Sequence, residues 1–132
     1  DAIVAPSGGD YTNPIAAIAA GKKNIAITAG TYDIAALTSI PNYTSIEGIG
    51  DRESISLNGN ISNIITVGFN STLRNLYFTD SRFSIGNNFT FENNKSHHTT
   101  GDYSHVNFNS KNNISVKRNS FGGGNFANSQ FV

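Results

Sequence analysis

NFTFENNKS, Asn88–Ser96, stands between two segments built on the same plan: NLYFTDSRF, Asn75–Phe83, and NISVKRNSF, Asn113–Phe121. Each opens on Asn, runs into an apolar-x-apolar core, and continues into polar residues. A period of two is the mark of a strand with one buried face. The cores Leu76/Phe78, Phe89/Phe91 and Ile114/Val116 are short and bounded by Asn, Asp or Ser, residues that favour turns.

The pattern spreads in both directions. Ile25/Ile27, Ile46, Ile55/Leu57, Ile65/Val67, Phe83/Ile85 and Val106/Phe108 add further short strands. Asn63, Asn75, Asn88 and Asn113 each precede such a core, and the last step between them is close to twice the first two. The implied unit is about 12 residues or a multiple of it, which points to a solenoid of stacked coils. A β-sandwich also uses many short strands. It would need hairpin turns, however, and Asn58-Gly59 is the single Asn-Gly pair in the chain. Asn beside a strand end can instead ladder, amide to amide, with its counterpart one coil away.

Upstream, NPIAAIAAGKKNIAITAGTYDI, Asn13–Ile34, begins with a helix signal. Asn13 can cap it, Pro14 suits the first helical position, and Gly21 can end it in a left-handed conformation. Ile15 and Ile18 share one face. A solenoid leaves an open apolar end, and a short amphipathic helix makes a suitable lid. The expected organisation is one domain: capping helix 13–21, coils 24–118, and a Gly/Asn-rich segment 119–132.

Composition narrows the function. The 132 residues carry no net charge, and only 14% are charged, with Lys and Arg scattered. Nucleic acid is therefore not an expected partner. No run approaches the ~20 apolar residues of a spanning helix, so membrane insertion is not expected either. Without cysteine there is no disulfide or thiolate metal site. The absence of Met and the start at Asp1 suggest a processed chain or a piece of a longer one.

AIAAGKKNIAITAGTYDI followed by IPNYTSIEGIGDRESISL resembles the entry of right-handed parallel β-helix proteins of the pectate-lyase-like superfamily. The matching elements are a capping helix (Pro14–Ala20), a strand (Ile25–Thr28), an A/P-G-x-Y turn (Ala29–Tyr32) and a strand ending in a G-x-G turn (Ile46–Gly50). STLRNLYFTDSRF resembles the second-coil strand of the same group. The resemblance implies an all-β, single-stranded right-handed parallel β-helix. It is closest to bacteriophage tailspike and appendage domains, and so implies an extracellular or virion-surface location and homotrimers. Secreted polysaccharide-degrading enzymes share this entry.

Fold alone does not fix chemistry. The paired Asp-Asp, Gly-His-Gly and Arg-x-Lys motifs of hydrolases on this fold are absent. Glu47 and Glu92 fall on outward strand positions and are the candidate catalytic carboxylates. Lys117, followed by Arg118, has the type of a lyase base, with no acidic cluster for calcium. KSHHTTGDYSH, Lys95–His105, reads as a loop. His98, Asp102 and His105 are candidate metal ligands there, although no regular spacing holds them together. No cofactor is expected.

Sugar binding asks for aromatic faces with amides and hydroxyls nearby. Alternation turns Tyr77 outward, and likewise Tyr103, His105 and Asn107. With Asn75, Thr90 and Glu92, these are the candidate contacts to a cell-surface or extracellular polysaccharide. Six N-x-S/T sequons, at Asn42, Asn60, Asn70, Asn88, Asn94 and Asn113, are attributed to composition. A Thr-x-Thr array for ice binding is lacking. The tail, ending on Phe131-Val132, lacks a polar cap, so continuation of the chain or cover by a partner is expected.

The leading expectation is a structural and glycan-recognition module. The alternative is a piece of a polysaccharide lyase or glycoside hydrolase. A carboxylate pair or a carboxylate–Lys/Arg cluster on adjacent coils would favour the enzyme. Scattered charges with exposed tyrosines would favour binding.

Overall fold

The computed structural model describes residues 1–99 and 103–123. Over these the chain winds into a parallel β-helix of about five coils. β1 (Ala2–Val4) and α1 (Pro14–Ala19) come first. The first coil holds β2 (Asn24–Ile27), β3 (Gly30–Asp33) and β4 (Ser39–Ile40). The second holds β5 (Ser45–Gly48), β6 (Ile55–Asn58) and β7 (Ile64–Val67). The third holds β8 (Thr72–Arg74), β9 (Tyr77–Thr79) and β10 (Arg82–Ile85). The fourth holds β11 (Thr90–Glu92), β12 (Lys95–His97) and β13 (Val106–Asn107). β14 (Ser115–Lys117) and β15 (Ser120–Gly122) begin a fifth, so the coils run past residue 118.

Stacking makes three faces. Face one carries β1, β2, β5, β8, β11 and β14; face two carries β3, β6, β9, β12 and β15; face three carries β4, β7, β10 and β13. The ladders are parallel throughout, for instance Ile25↔Ile46, Leu57↔Phe78 and Phe83↔Ile65. Parallel neighbours need a long crossover, and here the rest of each coil supplies it.

The core is a set of side-chain columns running along the axis. Face one sends in Ile25, Ile46, Leu73 and Phe91. Face two sends in Tyr32, Leu57, Phe78 and Ser96. Face three sends in Ile65, Phe83 and Val106. Every expected apolar pair through Val106/Phe108 is buried, and Ile114/Val116 in the last coil is half-buried.

The resemblance motifs have physical content. Tyr32 is buried, and its hydroxyl donates to the Thr28 carbonyl at 2.8 Å, closing the A-G-T-Y turn. Gly48 is obligatory because a Cβ there would overlap the Asn75 carbonyl oxygen.

α1 forms as expected: Asn13 Oδ1 accepts from the Ile15 N–H at 2.8 Å, and Gly21 has φ +81°. Its buried side chains are Pro14 and Ala17, while Ile15 and Ile18 are half-buried against the core. Pro14 and Ile18 lie over Ile27, Ile34, Leu37 and Ile40, closing the apolar end.

The repeat differs from the short, even unit that the sequence suggests. Ile25, Ile46, Leu73, Phe91 and Val116 occupy one column, and the step between neighbours changes at every coil. It is longest from Ile46 to Leu73 and shortest from Leu73 to Phe91. NFTFENNKS and NISVKRNSF do share a register, but NLYFTDSRF lies one face further round. The third-coil counterpart of Asn88–Ser96 is 70–78, since Thr90 pairs with Thr72. Asn63 belongs to another corner, where its amide donates to the Ala35 carbonyl at 3.0 Å.

The amide ladders exist at the corners. Where face three turns into face one, two adjacent columns form. One reads Asn42, Phe69, Asn87, Asn112; the next reads Tyr43, Asn70, Asn88, Asn113. Register comes from Tyr43 N–H to Phe69 O at 3.0 Å, and from Asn70 and Asn88 N–H to Asn87 O and Asn112 O, each at 2.9 Å. Asn88 Nδ2 donates to Asn70 Oδ1 at 2.7 Å, and Asn113 Nδ2 to Asn88 Oδ1 at 2.8 Å. Tyr43, Asn70, Asn88 and Asn113 all have φ of 56–58°. Asn tolerates that left-handed conformation; a bulky residue such as Tyr is strained there, by roughly 1–2 kcal/mol.

Where face one turns into face two, Asn93 Nδ2 donates to Asn75 Oδ1 at 2.9 Å. Inside that corner Asn94 is fully buried, accepting from the Leu76 N–H and donating to the Leu73 carbonyl, at 3.0 and 2.9 Å.

Candidate functional site

Face three presents outward the column Ser39, Thr66, Ser84, Asn107, with Ile64 and Arg82 beside it. The strand R-F-S-I explains the arrangement: Phe83 and Ile85 point in, so Arg82 and Ser84 must point out. Thr66, Arg82, Ser84, Ser104, Asn107 and Ile64 line a groove of about 290 Å³. The Arg82 guanidinium lies under the Tyr103 ring, 4.6 Å from its centroid. Nη1 of Arg82 donates to the Ile61 carbonyl at 3.4 Å, while its shielded Nε has no partner among the described residues.

Arg82 is electrostatically distinct from the other arginines. Arg52 pairs with Glu53 at 3.2 Å, and Arg74 and Arg118 both pair with Glu92, at 2.8 and 2.6 Å. Among the described residues Arg82 has no carboxylate partner. An unneutralised guanidinium on a π face, bordered by three hydroxyls and an amide, is equipped to hold a planar anion or a hydroxyl cluster.

The expected sugar contacts do not converge. Tyr103 and Asn107 belong to this groove region, and both reach the surface. Tyr77 is half-buried on face two, with Lys95 Nζ 4.7 Å from its ring centroid; Lys95 also pairs with Glu53 at 3.2 Å. Glu92 lies on face one. His105, expected to point outward, is 1% exposed.

The histidine segment is accordingly part of the core. Lys95–His97 forms β12, and His98 and His105 stack inside with ring centroids 3.8 Å apart. His105 Nε2 faces the Gly123 carbonyl at 2.8 Å and so carries the proton, leaving Nδ1 to accept from Ser96 Oγ at 2.8 Å. His98 Nε2 likewise donates to the Ser81 carbonyl at 3.0 Å. Burial pushes the His105 pKa below its ordinary value of 6.5; His98 and His97 push the same way, against the Gly123 hydrogen bond. Two stacked rings cannot aim lone pairs at one ion. No cluster of three or more His, Cys, Asp or Glu suited to a metal forms among the described residues. Asp102, the third candidate ligand, lies outside them.

Face one carries the charged candidates in a single outward column: Glu47, Arg74, Glu92, Lys117. Glu47 and Glu92 do share a face, but Arg74 stands between them, so their strands are two rungs, roughly 9.6 Å, apart. Both Glu92 oxygens are taken, by Arg74 and Arg118. The Arg74 hydrogen bond is the main cause that holds its pKa below 4.5, reinforced by the charges of Arg118 and Lys117 against partial desolvation. It is thus a stable carboxylate, unsuited to donating a proton. This is a carboxylate–arginine cluster on adjacent coils, the feature expected to favour an enzyme. A wider groove of about 400 Å³ opens at the same face's first rungs, between Asp10, Ala26 and Glu47. It offers carboxylates without an aromatic side chain, and Asp10 is engaged by the Ile3 N–H at 2.8 Å.

Sequence reasoning missed Arg82, Thr66 and Ser84. The alternation that exposed Tyr77 would have exposed them as well, had their strands been aligned with Asn107. No protein-family model, curated protein or solved structure matches this chain.

Proposed function

We propose that this chain is a glycan-recognition module of a tailspike, appendage or similar extracellular or virion-surface protein, with the face-three groove as its site. Arg82 carries the reading: among the described residues it is the arginine left without a carboxylate, braced by Tyr103 over a floor of Thr66, Ser84 and Asn107. Tyr103 offers a ring edge for a pyranose, the hydroxyls and amide meet sugar hydroxyls, and the guanidinium favours a glycan that bears carboxylates. The rigid solenoid holds these groups in place before binding, which limits the entropy lost on association. A homotrimer is the assembly this reading expects.

A second reading rests on the Arg74–Glu92–Arg118 cluster: a piece of a polysaccharide lyase or glycoside hydrolase, with Glu92 and Lys117 facing substrate on face one. The same experiment weighs both. The purified chain is screened against polysaccharides, and bound samples are assayed for new reducing ends and unsaturated products. Binding without turnover, weakened tenfold or more in Arg82→Gln and Tyr103→Ala, supports recognition. Product formation lost in Glu92→Gln would instead establish the enzyme.

A further inference from the structure

The corner between faces three and one carries eight positions in two columns, and six of them are asparagine. The two exceptions are Tyr43 and Phe69. They sit on neighbouring coils in neighbouring columns and pack edge to face, with centroids 5.2 Å apart. Tyr43 is 61% exposed and Phe69 42%. Neither ring serves the core, and Tyr43 holds the left-handed backbone that its asparagine counterparts adopt readily. An outlier of this kind, exposed and strained with no return in core packing, is the sort from which function is inferred.

The surroundings define what the rings would hold. Beyond Tyr43 and Phe69 the corner continues as exposed amides: Asn70, Asn88 and Asn113, with Asn87 and Asn112 alongside. Each laddered amide uses one N–H or one lone pair per neighbour, and an amide has two of each. The row therefore offers donors and acceptors to solvent at a spacing of roughly 4.8 Å. An apolar ring pair beside such a row matches a sugar, whose C–H face is apolar and whose rim is hydroxyl. A protein partner fits less well, because a stable interface covers about 800 Å² per partner and is centred on apolar anchors; two part-exposed rings bordered by amides supply neither.

We propose that the Tyr43–Phe69 corner is a second saccharide-binding subsite, taking a neutral, hydroxyl-rich stretch of glycan along the asparagine row. It rests on the glycan reading for the class of ligand, not for the location. Lys23 is the cation bonded to this corner, and its Nζ is already engaged, donating to the Asn42 carbonyl at 3.1 Å. A long glycan could thus place an acidic unit at Arg82 and neutral units at the corner.

The test uses the full chain with the Tyr43, Phe69 and Tyr103 ring resonances assigned. A panel of neutral and uronate-bearing oligosaccharides is screened, and the tightest binder is titrated by NMR. Tyr43→Asn/Phe69→Asn makes this corner match the third and fourth coils, so its unfolding midpoint should not fall. The expected result is movement of both corner rings on titration and a tenfold or greater loss of affinity in the double variant. Movement of Tyr103 with silent corner rings would overturn this inference and leave the proposed function standing. No binding to any member would overturn both. Corner rings that shift with protein concentration in the absence of glycan would overturn it in favour of self-association.

Discussion

Where the first two coils meet, the rings of Tyr43 and Phe69 stand in solvent, while Ile46, Leu57 and Val67 fill the interior. Two coils later the assignment is reversed: Phe89 and Phe91 are inside, with Phe91 stacked towards Phe78 and Phe121, and asparagine occupies the same corner. The corner side chains point to solvent, whereas the inner columns fill the core. Ring and amide can therefore exchange places at the corner without disturbing the inner columns. The early corner does not need its rings to turn, because the later corner shows that amides alone are enough to hold one.

The largest expected effect lies in the aromatic coils. Phe91→Ala removes the ring that contacts Phe78, Phe83, Phe89 and Phe121, and should cost about 4 kcal/mol in urea unfolding. A cost below that of Ile46→Ala, in the same column, would show that the aromatic half is not the better held. Next comes Asn94→Ala, which strands the buried Leu73 carbonyl and Leu76 N–H and should cost about 3 kcal/mol. A loss of under about 1 kcal/mol would mean that water replaces the amide.

Period-two alternation identifies almost the whole core from sequence, because burial on one face of a strand is a local property. Register is not local. The corner asparagines Asn70, Asn88 and Asn113 repeat unevenly, at sequence separations of 18 and then 25. Matching NLYFTDSRF to NFTFENNKS therefore shifts the third coil by one face. The right signal does lie in the chain. The sequons at Asn70, Asn88 and Asn113 are the corner itself, an Asn with positive φ two residues before a Ser or Thr opening a face-one strand. Attributed to composition, they yield no register. The candidate site is less legible, since Tyr77, Glu92 and Tyr103 fall on three different faces that only register separates. His105 escapes the sequence reading because alternation cannot foresee a buried imidazole satisfied by Ser96 and the Gly123 carbonyl.

That imidazole gives the next prediction. The unfolded chain takes up a proton that the folded chain resists, so His105 contributes stability in full above its ordinary value of 6.5. The contribution fades as pH falls from there through the lowered folded value. Urea midpoints measured from pH 7.5 to 5 should decline, and His105→Gln should flatten the slope. An unchanged slope in the variant would assign the decline to another group. Glu92 acts in a lower window: its contribution is present above 4.5 and fades as pH falls through its depressed folded value.

The smallest effect is a gain. Tyr43→Asn relieves the strained backbone and extends the amide ladder, and should raise stability by about 1 kcal/mol. A loss instead would show that the Tyr43–Phe69 contact holds the corner, and would remove the contrast between the two halves.

The third coil, with the shortest step in its column, from Leu73 to Phe91, completes all three faces with one short turn at each corner. It is the fold's smallest closed circuit, and the extra residues of the other coils are outgrowths upon it. That makes it a unit of length. A tandem copy of residues 72–89 spliced before Thr90 would add one rung, extending the rod by roughly 4.8 Å. Tip and base would then move apart in counted steps, without a new contact having to be invented between them.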